Sequence, residues 1–61
     1  MKYLYLLYDA RYRYDEDTAT LFEVCDTLQE AKENAPDYGD DTVIVKYKLA
    51  DGIIEPVEIL N

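Results

Sequence analysis

Residues 26–36 have the sequence Asp-Thr-Leu-Gln-Glu-Ala-Lys-Glu-Asn-Ala-Pro, and this segment carries the strongest local signal in the chain. Thr27 and Glu30 are spaced as a capping box, in which the Thr27 hydroxyl accepts from the Glu30 amide and the Glu30 side chain reaches back. Asp26 is an alternative N-cap. We expect the helix to run to about residue 35, because Pro36 cannot continue helical hydrogen bonding. A narrow apolar stripe would pack this helix against a sheet, and it consists of Leu28, Ala31 and Ala35.

Two strands are predicted before this helix. Residues 2–8 are rich in Tyr and Leu and are apolar on both faces, which is typical of a central strand or an interface. One face would carry Leu4, Leu6 and Tyr8, and the other Tyr3, Tyr5 and Leu7. Residues 9–18 are charged and predict a long hairpin connection or a strand extension with an acidic tip. The second strand is predicted over residues 20–25. Alternation places Thr20, Phe22 and Val24 on one face of it and Leu21, Glu23 and Cys25 on the other.

Two further strands are predicted after the helix. Residues 36–41 are rich in turn formers and indicate a loop. Residues 42–49 alternate, with Val43, Val45, Tyr47 and Leu49 facing inward and Lys46 and Lys48 outward. The pair Asp51-Gly52 predicts a tight hairpin turn. Residues 53–60 form the last strand, which Pro56 places at a sheet edge because proline has no amide hydrogen to donate.

The order of these elements predicts one α+β domain over residues 1–61. Its architecture is ββαββ, a four-stranded and mainly antiparallel sheet with one helix packed on one face. One short helix leaves the other face uncovered. We expect that uncovered face to carry Tyr3, Tyr5, Leu7 and Ile44, and exposed apolar surface of this kind usually marks an interface.

Composition narrows the class of protein. Fourteen carboxylates against six Lys and Arg give a formal net charge of −8, while 49% hydrophobic residues are too many for a disordered acidic tail. Domains of this length usually need an additional stabilising feature, such as a disulfide or oligomerisation. Because a single Cys excludes an internal disulfide, we expect a homo-oligomer, specifically a dimer. From the short apolar start and the absence of a long apolar stretch, we expect neither a signal peptide nor a membrane span. We therefore expect a cytoplasmic protein, in the host cytoplasm if it is phage-encoded.

Catalysis is not expected, because the chain has neither His nor Ser. We assign no catalytic residue, no cofactor and no metal site. A helix dipole would lower the pKa of Cys25, but a small half-buried hydrophobe is the better interpretation of this residue. The spacing of an EF-hand fails from both Asp15 and Asp37. Weak binding of a divalent cation or small ligand by the acidic loops stays an alternative function.

Direct binding of nucleic acid is also not expected. Residues 11–14 alternate arginine with tyrosine, as in proteins that stack on single strands and contact their phosphates. Asp9 and the acids at positions 15–17 flank this segment within about one Debye length, roughly 8 Å. Together with the net charge they would repel phosphates, so we expect these arginines to pair with neighbouring acids.

The acids instead indicate a surface for a protein partner with a basic surface. Glu30 and Glu33 are close enough on a helix to repel each other, which a charged binding surface would tolerate. Solubility is the competing explanation for the charge. Aromatic side chains would add the contacts that dominate binding energy. The predicted partner-binding residues are Tyr3, Tyr5, Tyr12, Tyr14, Asp15, Glu16, Asp17, Glu30, Glu33, Asp37, Tyr38, Asp40 and Asp41.

In size and charge the chain resembles the small acidic proteins of bacteriophages and other mobile elements, many of which bind and block host proteins. The resemblance implies a non-enzymatic inhibitor of a nucleic-acid-binding host protein, for example a DNA mimic such as an anti-CRISPR or other anti-defence protein. It assigns no role to any residue and implies no membrane partner. The alternative from another class is a structural or assembly protein that forms homodimers through a Tyr-rich sheet face.

Overall fold

The computed structural model describes residues 2–61. The strands and helix are β1 (Lys2–Tyr8), β2 (Leu21–Cys25), α1 (Leu28–Asn34), β3 (Val43–Ala50) and β4 (Ile53–Ile59). Two short 3₁₀ helices, Ala10–Arg13 and Ala35–Tyr38, follow β1 and α1. The strands form one sheet in the order β2-β1-β3-β4, with every neighbouring pair antiparallel. The predicted α+β fold is therefore confirmed.

The position of α1 follows from the strand order. Because β2 and β3 are both antiparallel to β1, they run parallel to each other on either side of it. Parallel strands need a crossover connection rather than a tight turn. The segment that contains α1 makes this crossover and packs the helix against β1 and β2.

The N-terminus of α1 has the Thr27 half of the predicted capping box. The Thr27 hydroxyl accepts a hydrogen bond from the Glu30 amide at 3.1 Å, and Thr27 has extended backbone angles. Asp26 does not cap the helix but lies 3.6 Å from the Lys2 ammonium. Pro36 ends the α-helical hydrogen bonding as expected. It does not begin an irregular loop, because its fixed φ suits the first turn of the second 3₁₀ helix.

The helix covers the face of the sheet that we expected to be uncovered. A single buried cluster joins this face to α1, and it contains Leu7, Cys25, Ala31, Ala35 and Ile44. The prediction for Tyr5, Leu7 and Ile44 was therefore wrong. The physical reason is that β1 is apolar on both faces, so its alternation does not specify which face receives the helix. Tyr5 packs against the same cluster, whereas Tyr3 is 38% exposed with the Lys46 ammonium 4.3 Å from its ring centroid.

A bulge in β2 changes the predicted alternation of that strand. Leu7 lies opposite Glu23 and Tyr8 lies opposite Leu21, so Phe22 is the extra residue. Phe22 packs against the cluster beneath α1, on the same side of the sheet as Glu23. The predicted grouping of Phe22 with Val24 was wrong for this reason.

The side of the sheet opposite α1 is here called the open face. Directly opposed residues of paired strands share a face, so the registers define its members. They are Lys2, Leu4, Leu6, Tyr8, Leu21, Val24, Val43, Val45, Tyr47, Leu49, Ile54, Pro56 and Ile59. The first 3₁₀ helix covers one end of this face with Tyr12, which packs on Val43 and Val45. The segment after β1 is thus a folded connection and not a strand extension.

The hairpin of β3 and β4 forms as predicted. Asp51 and Gly52 both have positive φ, 55° and 77°, as a two-residue turn of this type requires. The strand that contains Pro56 is an edge strand, and all of its residues are exposed. A second irregularity between Lys46 and Tyr47 leaves Val57 without an opposed residue in β3.

Candidate partner-binding surface

Two acidic segments meet at one end of the sheet. Tyr8, the last residue of β1, lies opposite Val43, the first residue of β3, so the chain leaves and re-enters the sheet at the same end. Residues 13–17 follow the first of these strands and residues 37–42 precede the second. Together these two segments, here called the acidic end, hold six of the fourteen carboxylates and one arginine.

A cavity of about 390 Å³ joins the two segments of the acidic end. Arg13 and Tyr14 line it from one segment, and Asp40 and Asp41 line it from the other. Tyr14 is 89% exposed, the most exposed large apolar side chain among residues 2–61. An aromatic ring beside a concave acidic wall offers both apolar area and charge to a partner.

The carboxylates of the acidic end are not neutralised by the protein itself. Within residues 2–61, ion pairs engage only Asp9 with Arg11 and Asp26 with Lys2, and neither pair lies in these two segments. Arg13 donates to the backbone oxygen of Asn61 instead of to a carboxylate. The negative charge of this end is therefore available to an external cation.

Asp9 holds in place the part of the chain that precedes the first segment of the acidic end. Its side chain accepts from the Arg11 amide at 3.1 Å, from the Arg11 guanidinium at 2.8 and 3.1 Å, and from the Thr20 amide at 3.2 Å. The hydrogen bond from the Arg11 side chain is the main reason why the pKa of Asp9 is lowered. Asp15 makes a smaller turn of the same kind, accepting from the Asp17 amide at 3.2 Å. The acidic tip thus has defined local structure.

Tyr38 is held in place from two sides. Its ring stacks on Phe22 with centroids 4.9 Å apart and an interplanar angle of 4°. Its hydroxyl donates to Glu23 at 2.7 Å, and Asn34 donates to the same carboxylate at 2.7 Å. These hydrogen bonds lower the pKa of Glu23, with the bond from Tyr38 contributing most, and raise the pKa of Tyr38. Tyr38 is 42% exposed, so it is a rigid and accessible aromatic group of the acidic end.

A second cavity of about 330 Å³ adjoins the acidic end on the helix side of the sheet. Its floor is apolar, with Ala35, Pro36, Ile44 and Leu60, and its rim includes Lys32, Asp40 and Asn61. Asn61 holds this region together because its side chain accepts from the Ile44 amide at 2.7 Å and donates to the Thr42 carbonyl at 2.9 Å. The Thr42 hydroxyl, beside it, is buried and has no hydrogen-bond partner among residues 2–61.

Three tyrosines form a hydrogen-bonded cluster on the open face. The Tyr47 hydroxyl lies 3.0 Å from that of Tyr12 and 3.3 Å from that of Tyr8, whose ring centroid is 4.6 Å from that of Tyr12. Burial is the main cause that raises the pKa of all three phenols, to about 12 for Tyr47, and the charge of Glu16 adds to it. This cluster packs the connection after β1 onto the sheet.

The structure gathers only part of the predicted binding set. The acidic end contains eight of those residues: Tyr14, Asp15, Glu16, Asp17, Asp37, Tyr38, Asp40 and Asp41. Tyr12 is 8% exposed and Tyr5 is half-buried, so neither presents its ring to a partner. Tyr3 lies toward the opposite end of the sheet, beside Lys48 in the register. Glu30 and Glu33 are exposed on α1, where Glu33 accepts from Gln29 at 3.2 Å.

Sequence reasoning missed the residues that position the exposed ones. Phe22 and Glu23 support Tyr38 from positions far away in the sequence, and Asn34 donates to the same Glu23 carboxylate. No sequence pattern links them, because the link depends on the bulge in β2 and on the crossover through α1. Asn61 gave only a weak signal, namely the known tendency of Asn to replace backbone hydrogen bonds.

One group of side chains has ligand atoms close enough together to hold a metal ion. Ligand atoms of Glu23, Cys25 and Glu30 lie within 4.8 Å of one another. The Cys25 thiol donates to Glu23 at 3.2 Å, and burial followed by this bond raises the pKa of Cys25 to about 12, so the helix dipole does not lower it. In this structure the thiol and the carboxylate are thus joined by a hydrogen bond within the protein.

Comparisons with protein-family models, with curated proteins and with solved structures find no match to this chain. Among residues 2–61, no helix has the length and apolar character required to cross a membrane.

Proposed function

We propose that this protein is a non-enzymatic binding module whose acidic end occupies a basic, nucleic-acid-binding surface on another protein. One observation carries the proposal. Six carboxylates without ion pairs converge at one end of the sheet, together with the exposed ring of Tyr14 and the immobilised ring of Tyr38. In a phage or mobile element, such a module would inhibit a host protein that acts on nucleic acid.

The charges and the tyrosines have different roles in this proposal. Unpaired carboxylates attract a basic surface from a distance and raise the association rate, an effect that weakens with salt. The tyrosines supply contact area after the encounter. Tyr38 loses little freedom on binding because Phe22 and Glu23 already hold it, which reduces the entropic cost of association.

The inhibitory effect follows from competition for the same cations. Arginine and lysine clusters that bind phosphates also form charge-assisted hydrogen bonds with carboxylates. The carboxylates of the acidic end would therefore displace a nucleic acid backbone from such a cluster. The proposal requires that partner binding and DNA binding exclude each other.

The test uses the immobilised full chain and the heparin-binding fraction of a bacterial lysate as the probe. We expect a discrete protein to be retained at about 50 mM NaCl, to elute as salt rises toward about 500 mM, and to be released by duplex DNA. Tyr14→Ala should weaken retention of this protein, whereas Tyr3→Ala should not. No retention at low salt, or retention that duplex DNA does not reduce, would contradict the proposal.

A further inference from the structure

We propose that the open face is the interface of a homodimer, with a second copy of this chain as its occupant. This inference does not rest on the proposed function, since the acidic end and the open face are different surfaces. It places the dimer on the side of the sheet opposite α1, and not on the side that carries Tyr3, Tyr5 and Leu7.

The distribution of charge on the two sides of the sheet supports a second copy. No strand carboxylate occupies an open-face position, and Glu16 lies beside the tyrosine cluster at the end of this face that the first 3₁₀ helix covers. The strand carboxylates, Glu23, Glu55 and Glu58, all lie on the side of α1, where the last two oppose Lys48 and Lys46. The one charged open-face residue is Lys2, which is paired with Asp26.

This segregation indicates the chemistry of the occupant. A basic partner would gain little from the part of this face that the first 3₁₀ helix leaves uncovered, because its strand positions carry no carboxylate. Two copies of a chain with charge −8 repel each other, so they can associate only where their charges point away from the contact. The uncovered part of the open face is such a surface. A two-fold axis would bring identical apolar patches together, as in most homodimers.

The exposed aliphatic side chains of the open face lie on its two edge strands, β2 and β4. Val24 and Ile59 are 51% and 41% exposed at the two ends of the row that passes through the buried Leu6 and Val45. Ile54 is 47% exposed beside Leu49. Both edges of the open face thus offer apolar contact area to a second copy.

The open face extends across four strands of five to eight residues each. With strands about 4.8 Å apart and about 3.3 Å per residue, its footprint is on the order of 500 Å², below the roughly 800 Å² that each partner buries in a standard interface. We therefore expect a weak dimer. Sheets pack face to face at about 10 Å, so side chains of the size of Ile and Leu would fill the space between two copies.

The test is sedimentation of the full chain from about 1 µM to about 1 mM, at low and high salt. We expect a monomer–dimer equilibrium whose dissociation constant falls as NaCl rises from about 0.1 to about 1 M, because screening reduces repulsion between the copies. Ile54→Lys should weaken the dimer at least tenfold, since each substitution appears twice at a two-fold interface. Ile53→Lys is the matched control, because this neighbour is 60% exposed on the side of α1.

A second open-face variant is available in case Ile54→Lys destabilises the fold. If Ile54→Lys lowers the melting temperature more than Ile53→Lys does, Val24→Lys at the opposite edge of the open face replaces it. A monomer at every concentration would overturn the inference. Dissociation of the dimer by Ile53→Lys as strongly as by the open-face variants would also overturn it.

The salt response separates this inference from the proposed function. Binding of a basic partner weakens with salt, whereas dimerisation through the open face strengthens. A dimer that dissociates as salt rises would contradict the inference and leave partner binding untouched. Loss of partner retention in a chain that still dimerises would contradict only the proposed function.

Discussion

At the scale of single residues, Glu23 connects the sheet, the helix and the acidic end. Its carboxylate accepts from Tyr38, Asn34 and Cys25, and these bonds lower its pKa. Each donor comes from a different element. The position of Tyr38, which the proposed function uses, therefore depends on the ionised form of one half-buried side chain.

Replacement of this carboxylate has a predictable pH dependence. A lowered folded-state pKa adds stability that is complete above the unfolded pKa, about 4.3, and is lost as pH falls through the lower folded value. We expect Glu23→Gln to lower the melting temperature at pH 7 and to matter less near pH 3. The measurement is thermal unfolding across this range. Glu55→Gln is the control, and an equal deficit for Glu23→Gln at both pH values would contradict the account.

The tyrosine cluster predicts a loss of stability on the alkaline side. The pKa of Tyr47 is raised to about 12, so its contribution is complete below the unfolded value of about 10 and disappears as pH rises through the folded value. We expect the melting temperature to fall between about pH 10 and 12. Tyr47→Phe should make this fall smaller, whereas Tyr14→Phe, at an exposed position, should leave it unchanged. A fall of the same size in Tyr47→Phe would argue against a role for the cluster.

At the scale of elements, α1 depends on its cap because it is only seven residues long. Thr27→Ala removes the acceptor for the Glu30 amide and should cost about 0.5–2 kcal/mol in the free energy of unfolding, measured by urea denaturation. Thr27→Ser keeps the hydroxyl and should restore most of this loss. Equal stability of the Ala and Ser variants would show that the cap contributes little.

Local chemistry made the elements predictable from the sequence. The start of α1, the Asp51-Gly52 turn and the edge position of β4 each follow from a few neighbouring residues, and all three are confirmed. The face that receives α1 did not follow, because β1 is apolar on both sides. The bulge at Phe22 and the burial of Tyr12 arise from tertiary packing, which period-two alternation does not encode.

The candidate surface was predictable in composition but not in arrangement. Exposed Asp and Glu residues in loops are evident from the sequence, and eight of the predicted binding residues do lie at one end. Their convergence depends on the register that sets Tyr8 opposite Val43, which a single sequence does not reveal. The sequence does not distinguish Tyr5 and Tyr12 from Tyr14, yet the fold uses the rings of the first two for packing.

At the scale of the whole molecule, charge opposes folding. Fourteen carboxylates repel one another in a domain with only two ion pairs among residues 2–61. We therefore expect the melting temperature to rise as NaCl increases from about 0.01 to about 0.15 M, because the Debye length falls from about 30 to about 8 Å. Thermal unfolding at a concentration where the chain is monomeric checks this. A fall in melting temperature would mean that attractive pairs dominate.

The central claim concerns the position of the charge and not its amount. Two variants remove three carboxylates each: Asp17→Asn, Asp40→Asn and Asp41→Asn at the acidic end, and Asp51→Asn, Glu55→Gln and Glu58→Gln along the β3–β4 hairpin. The measurement is retention of the heparin-binding protein from the bacterial lysate at about 50 mM NaCl by each immobilised variant. The account predicts at least tenfold weaker retention by the first variant and near-normal retention by the second. Equal retention by the two variants, which net charge alone would produce, would contradict it.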